Sequence, residues 1–374
     1  MSRWTDGPMG RWAVAVVILT ASPWLGLHAQ DSQFGIHGLG TPGKWESARA
    51  RSTAGAFAPF DPFSPLIDAT LGDVRRMSAS ITTGTSWRTV EADSSNSSLR
   101  GSRFPALVLA GPITSRIVIG GGFATYLDRS FGIITHDTID LRGVPQPITD
   151  KLTSDGAVTD LRLAAASRIS SWLTVGAGFH LLTGSSRMVA TRTFTDTSYR
   201  TSSSRDEVAY GGKGGSFSAL VNVSQDLRAA GWYRFDSKLR ADLRGRTTVE
   251  NELPASYGAG LQWRAGGQAV IAGTVAWRNW ASAGSTPDSH NTFNWSLGAE
   301  LGSFSAPFRF GVRGGQLPFA VGQTPTEFGI SGGLGRQFSG GRGRLDIGLE
   351  RLQRKGDGLT ERVWTLLLGL TVRP

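Results

Sequence analysis

Ala255-Ser256-Tyr257-Gly258-Ala259-Gly260-Leu261-Gln262-Trp263-Arg264 is the stretch that decides the fold. Ala255, Tyr257, Ala259, Leu261 and Trp263 share one side, and Ser256, Gly258, Gly260, Gln262 and Arg264 share the other. A β-strand turns successive side chains to opposite faces, so this is a strand with one apolar and one wet face. The alternation recurs. Leu173, Val175, Ala177, Phe179 and Leu181 oppose Thr174, Gly176, Gly178 and His180. Ile271, Gly273, Val275 and Trp277 oppose Ala272, Thr274, Ala276 and Arg278. Phe293, Trp295, Leu297, Ala299 and Leu301 form a further apolar stripe, as do Phe217, Ala219, Val221 and Val223. Leu345, Ile347 and Leu349 oppose Asp346, Gly348 and Glu350, and Trp364, Leu366, Leu368, Leu370 and Val372 close the series. Strands of this length and period suit an all-β fold, a transmembrane antiparallel β-barrel with lipid outside and a polar lumen.

The first 29 residues read as an export signal. Arg3 and Arg11 supply positive charge, Trp12 to Leu19 is apolar, and Leu27-His28-Ala29 offers a cleavage site. Beyond it no apolar run reaches the roughly 18 residues a membrane helix needs. The chain has no Cys, so an exported form is not held by disulfides. A closed barrel needs none, because its backbone groups pair around the ring. Hydrophobic residues make up 39%, too few for a helical membrane protein but suited to a wall in which alternate residues face lipid.

The net charge is +10; removing two Arg and one Asp with the leader leaves +9. Lysines occur only at Lys44, Lys151, Lys213, Lys238 and Lys355, so arginine carries the charge. The arginines are spread thinly, without a basic block or recognition helix. That argues against nucleic acid and for solvated loops, with lipopolysaccharide and outer-membrane lipid as anionic partners at the rim.

Residues 30–76 differ from the rest of the chain. They are rich in Gly, Pro, Ala and Phe, and Pro42, Pro59, Pro62 and Pro65 exclude a central strand. Ser47 to Ala58 has room for one helical turn, with Gly55 near its end. This segment is expected to be a plug, or hatch, preceding a barrel over 77–374. Strand candidates then succeed one another to the end, separated by turn signals such as Ser170-Ser171, Gly266-Gly267 and Gly340-Gly341. Leu239 to Glu250 reads as one of these strands. Arg129 to Gly156 and Gly184 to Gly215 read as extracellular loops or strand extensions. The strand count falls between 12 and 16, and 14 is adopted, at about 21 residues per strand and loop. Trp263, Trp277, Trp280, Trp295 and Trp364 are placed for the aromatic girdles.

Chemical motifs are sparse. Gly38-Leu39-Gly40-Thr41-Pro42-Gly43-Lys44-Trp45 satisfies GxGxxG, but no strand precedes it, and Trp45 stands where a P-loop needs a hydroxyl. His37, His136, His180 and His290 lie outside metal-ligand spacing of one another, so no metal or cofactor is expected. His180 is on the polar face of its strand, a lumen position. No GxSxG elbow occurs, and the chain does not read as an enzyme.

Several stretches together resemble the FadL family, outer-membrane channels for long-chain fatty acids and aromatic hydrocarbons. Phe34-Gly35-Ile36-His37-Gly38-Leu39-Gly40 is similar to that family's opening, and Ser47-Ala48-Arg49 with Gly55-Ala56-Phe57 to its plug. Phe217 to Gly245, with Trp232-Tyr233-Arg234, resembles a family hairpin. Leu253 to Leu261 followed by Val275-Ala276-Trp277-Arg278-Asn279-Trp280 is the best match, and Arg309 to Gly315 with Gly332-Gly333-Leu334-Gly335 keeps family order. Two features depart from it: Ile67-Asp68-Ala69 replaces the usual Asn-Pro-Ala, and the last strand ends in Val372-Arg373-Pro374 rather than an aromatic residue. The resemblance implies a 14-stranded barrel in the bacterial outer membrane, with a hatch, passive uptake of a hydrophobic molecule, and lateral exit through a gap in the wall.

A polar lumen does not attract an apolar solute, so the hatch is expected to supply apolar contacts, at about 25 cal/mol per Å² buried. Phe34, Phe57, Phe60 and Phe63 are the ligand-binding candidates; the alternative is that they anchor the plug. The expected protein is a monomer whose ligand is a hydrophobic small molecule. Its rivals are a structural or secretion-associated barrel binding a protein partner through outer loops, and an open porin.

Overall fold

The computed structural model describes residues 32–374 apart from 93–94, 244–245, 283–288, 321 and 357. The leader assigned to residues 1–29 lies outside the described residues. The strands in chain order are β1 (Thr41–Pro42), β2 (Ser78–Ala92), β3 (Ser95–Pro112), β4 (Ile117–Asp128), β5 (Phe131–Leu141), β6 (Val144–Arg168), β7 (Leu173–Phe194), β8 (Ser202–Asn222) and β9 (Leu227–Asp236). They continue as β10 (Leu239–Leu243), β11 (Arg246–Asn251), β12 (Ser256–Arg264), β13 (Ala269–Arg278), β14 (Thr292–Leu301), β15 (Phe308–Gln316), β16 (Thr326–Phe338), β17 (Gly343–Gly356) and β18 (Leu359–Val372).

Fourteen of these close a ring of antiparallel neighbours. It runs β2-β3-β4-β6-β7-β8-β9 and on through β12 to β18, and β18 pairs back onto β2 from Val372↔Ala79 to Leu359↔Ala92. The remaining four are additions. β1 belongs to the N-terminal segment, β5 extends the wall beside β6, and β10 and β11 form a hairpin whose first strand pairs with β8. Leu239 to Glu250 is thus not one wall strand. It reverses on itself, and its first arm covers the edge that β8 exposes above Gly214, where β9 ends.

One end of the ring has short connections, such as residues 169–172 and 223–226, and the other has long ones. Of the two readings of 129–156 and 184–215, strand extension is the one found. β6 alone has 25 residues, about 80 Å of strand at ~3.3 Å per residue, against an apolar band of about 25 Å.

Alternation sorts the side chains as the pattern requires. Phe179, Phe217, Leu261, Leu297, Leu349 and Leu366 are exposed on the outside, while His180, Ser216, Asp346, Glu350 and Leu367 are buried within. Trp263, Trp295 and Trp364 are outside. Trp280 is not in a girdle: it is 1% exposed, edge-on to Phe319 with ring centroids 5.1 Å apart. It follows β13 with the parity of Thr274 and Arg278, which face the lumen segment, so its nearness to a strand end misplaced it.

Residues 32–74 pass through the lumen. A helical turn, Ala48–Arg51, is capped by Ser47, whose hydroxyl accepts from the Ala50 amide. Gly55 then reverses the chain at φ +91°. Contacts reach the wall on several sides. The Ala48 amide donates to Thr82, the Ala54 amide to Ser331, the Ala69 amide to Ser218, and the Thr274 hydroxyl to the Ala56 carbonyl. The wall makes room with glycine. A Cβ on Gly311 would stand 2.4 Å from the Thr53 carbonyl carbon, and one on Gly176 2.3 Å from the Ala69 nitrogen.

Candidate ligand-binding site

Charge fastens the segment to the wall. Arg49 donates to Glu300 through Nε (2.8 Å) and Nη2 (2.6 Å), and Arg309 links the same carboxylate to Asp346. Arg51 pairs with Glu350, which also meets Arg313 at 3.0 Å and Lys44 at 3.6 Å. Asp68 takes Arg162 Nε at 2.7 Å and the Ser216 hydroxyl at 2.6 Å. The departure at Ile67-Asp68-Ala69 therefore supplies an anchor.

Behind Asp68 lies a Ser/His/Asp line. His180 Nε2 is 2.8 Å from Ser216 Oγ, and Nδ1 is 2.9 Å from Asp160 Oδ2. Asp160 is also held by Arg234 Nη1 at 2.6 Å, and Arg234 bonds Asp236, which accepts from Tyr126. A nucleophile needs its hydroxyl proton aimed at the imidazole. Here the one Ser216 proton faces the Asp68 carboxylate, and the adjacent cavity holds about 20 Å³. The line buttresses the Asp68 anchor.

Two larger cavities flank the lumen segment. At the long-connection end an apolar pocket of about 250 Å³ is lined by Leu39, Met188, Val208, Tyr210, Leu239 and Leu243. Arg129 crosses it, donating to the Gly38 carbonyl and stacking over Tyr210 at 6.0 Å. A buried cluster containing Leu39, Tyr210 and Leu239 also contains Leu182, Val158 and Leu127, so apolar packing continues from the pocket to β4. At the short-turn end a cavity of about 310 Å³ is lined by Phe60, Phe63, Val270 and Phe304 together with charged groups.

The wall ladder is interrupted beside β4. Among the described residues β3 and β4 pair only from Ala106↔Ala124 to Pro112↔Val118. Above that, β3 stays with β2, while β4 stays with β6 across an irregularity between Thr125 and Leu127. The edge that β4 leaves free is taken by the lumen segment: Thr41 pairs with Asp128 and Pro42 with Leu127, and the Gly43 amide donates to the Tyr126 carbonyl at 2.8 Å.

The four sequence-nominated phenylalanines are all buried. Phe57 and Phe60 pack with Ile67, Leu220, Trp232 and Ala272, and Phe57 lies 5.5 Å under the Arg49 guanidinium. Phe60 and Phe63 line the short-turn cavity, and Phe34 sits in a 3₁₀ turn against β5. None of the four lines the long-connection pocket. Its residues were missed because Leu239 to Glu250 was read as one strand, although Gly245 marks the point between the β10 and β11 arms.

A closed 14-strand ring with an outward apolar face and a polar lumen defines the class, an outer-membrane β-barrel. Among the described residues no helix is long and apolar enough to cross a membrane. No protein-family model and no curated protein matches the sequence. Solved structures do match, and the fold is that of FadL-type channels. A FadL homologue of Pseudomonas aeruginosa superposes with a TM-score of 0.64 at 13% identity, covering 89% of this chain and 99% of that one. The monoaromatic hydrocarbon channel CymD gives 0.57 at 17%, covering 88% and 97%. The toluene transporter TodX of Pseudomonas putida gives 0.57 at 13%, covering 89% and 99%.

Proposed function

We propose that the protein is a channel for passive uptake of hydrophobic small molecules across the outer membrane. The observation that carries this reading is the apolar cluster that runs from the 250 Å³ pocket to Leu127 on β4, beside the point where β3 and β4 stop pairing. A solute such as a fatty acid or an aromatic hydrocarbon buries its surface among Leu39, Val208, Tyr210 and Leu239, displacing poorly bound water. The 32–74 segment acts as the hatch, fastened across the lumen by its contacts with the wall. Residues Thr41 and Pro42 cover the wall gap. When they leave β4, the solute passes sideways into lipid, where an apolar molecule is more stable than in water. The fold of the FadL homologue and of the two hydrocarbon channels supports this reading.

The test is uptake of a radiolabelled fatty acid and of toluene by cells carrying the wild-type chain or Val208→Arg. A guanidinium in the apolar pocket is expected to lower uptake of at least one solute about tenfold, since burying an unpaired charge costs several kcal/mol. Equal uptake by a variant that still assembles as a heat-modifiable barrel overturns the reading.

A further inference from the structure

The short-turn end carries a charge pattern that the uptake path does not use. Arg75, Arg76, Arg116, Arg264, Arg342 and Arg373 lie there in turns and strand ends, and none has an ion pair among the described residues. The acids on that rim are Asp73, which pairs with Arg228, and Asp226. The opposite end mixes both signs, as in the pairs Arg192–Asp150, Arg187–Glu207, Lys238–Glu252 and Arg240–Glu250. Two of these arginines, Arg264 and Arg373, line the 310 Å³ cavity. In outer-membrane barrels this end faces the periplasm.

The cavity is amphipathic. Phe60, Phe63, Val270 and Phe304 supply apolar surface. Its other acids are engaged: Glu300 by Arg49 and Arg309, Asp346 by Arg309 and Arg344, and Asp61 by Ser47 and the Phe63 amide. Arg264 and Arg373 line the same space without an ion pair among the described residues. Gln262 also lines it, and its side-chain oxygen is buried without a hydrogen-bond partner. Turning that amide over presents N–H donors at the same spot.

We propose that this cavity is a binding site for small amphiphilic organic anions, an aromatic or short aliphatic carboxylate, taken from the periplasmic side. The apolar body lies on Phe60, Phe63 and Phe304, and the carboxylate meets Arg264, Arg373 and the Gln262 amide. The basic rim raises the local anion concentration at the mouth, within a screening length of about 8 Å at physiological salt. A cavity of this volume is at the lower end of the ~300–1,000 Å³ range of ligand sites, which fits one ring system rather than a long chain. The site is separate from the long-connection pocket and does not depend on its use.

The experiment is isothermal titration of the full chain in detergent with 1-naphthoate, and with 1-methylnaphthalene as the neutral counterpart. Saturable naphthoate binding that weakens with added salt is expected, at least about tenfold tighter than the neutral ring. R264Q/R373Q is expected to remove that preference, and Phe63→Ala to weaken naphthoate binding. Val208→Arg, in the other pocket, is expected to leave naphthoate binding unchanged, which separates this site from the uptake reading. No saturable binding, unchanged preference in R264Q/R373Q, or loss of naphthoate binding in Val208→Arg overturns the proposal.

Discussion

Asp68 in the lumen segment and Arg162 on β6 form a buried ion pair, with Arg162 Nε 2.7 Å from Asp68 Oδ1. Neither charge is in bulk water, so each depends on the other and on the Ser216 hydroxyl for its stability. The wall side is held in turn by His180, Asp160 and Arg234. Ionic fastening suits a barrel. The wall spends its apolar residues on lipid, so the lumen face has mainly polar groups with which to grip a segment inside it.

Removing one partner leaves the other charge buried alone, at a cost of about 3–5 kcal/mol. Asp68→Ala is therefore expected to loosen the hatch: protease should cut within residues 32–77, and single-channel conductance in planar bilayers should rise. The compensated pair Asp68→Leu with Arg162→Met should restore much of the protection. If Asp68→Ala remains as protected and as closed as wild type, Asp68 is not an anchor.

Thr41 and Asp128 are register partners where the segment covers the wall gap. Partnered residues in antiparallel strands have Cβ atoms about 4.5–5.5 Å apart, near enough for a disulfide with slight adjustment. The chain has no cysteine, so Thr41→Cys with Asp128→Cys creates the sole pair. Oxidation is expected to stop uptake of apolar solutes, and reduction to restore it. Full transport through the oxidised form would show that the exit lies elsewhere.

Lys44 responds to pH near neutrality. Burial, with the Arg313 guanidinium beside it, pulls its ammonium from 10.5 down to about 7, although Glu350 opposes the shift. Between about 7 and 10.5 the unfolded or undocked chain holds a proton that the docked chain has released. Docking therefore strengthens as pH rises through that window and is weakest below pH 7. Protection of the hatch from protease is expected to increase from about pH 6 to about pH 9, and Lys44→Met to flatten the profile. A wild-type profile that is flat, or that falls with pH, rules out this role.

The wall was legible because its rule is local. The outward stripe Tyr257, Leu261 and Trp263 and the inward Gly258 and Gly260 come from a period of two and need no knowledge of a partner strand. Nearness to a strand end was a poorer guide. It placed Trp280 in a girdle, whereas Trp280 shares the parity of the inward Thr274 and Arg278 and packs inward on Phe319. Leu239 to Glu250 is broken by Gly245, which was passed over, and the docking of its first arm on the exposed edge of β8 is something no local pattern reveals.

By itself, the sequence determined a lipid-facing barrel of about fourteen strands and a distinct stretch ahead of it, because alternation and proline content act within a few residues. Only the tertiary structure decided what that stretch grips and what remains open. Asp68 meets Arg162, 94 positions away along the chain, Thr41 meets Asp128, and β3 parts from β4 above Ala106. These are choices among partners far apart in sequence, made by the closure of the ring and the shape of the space it encloses.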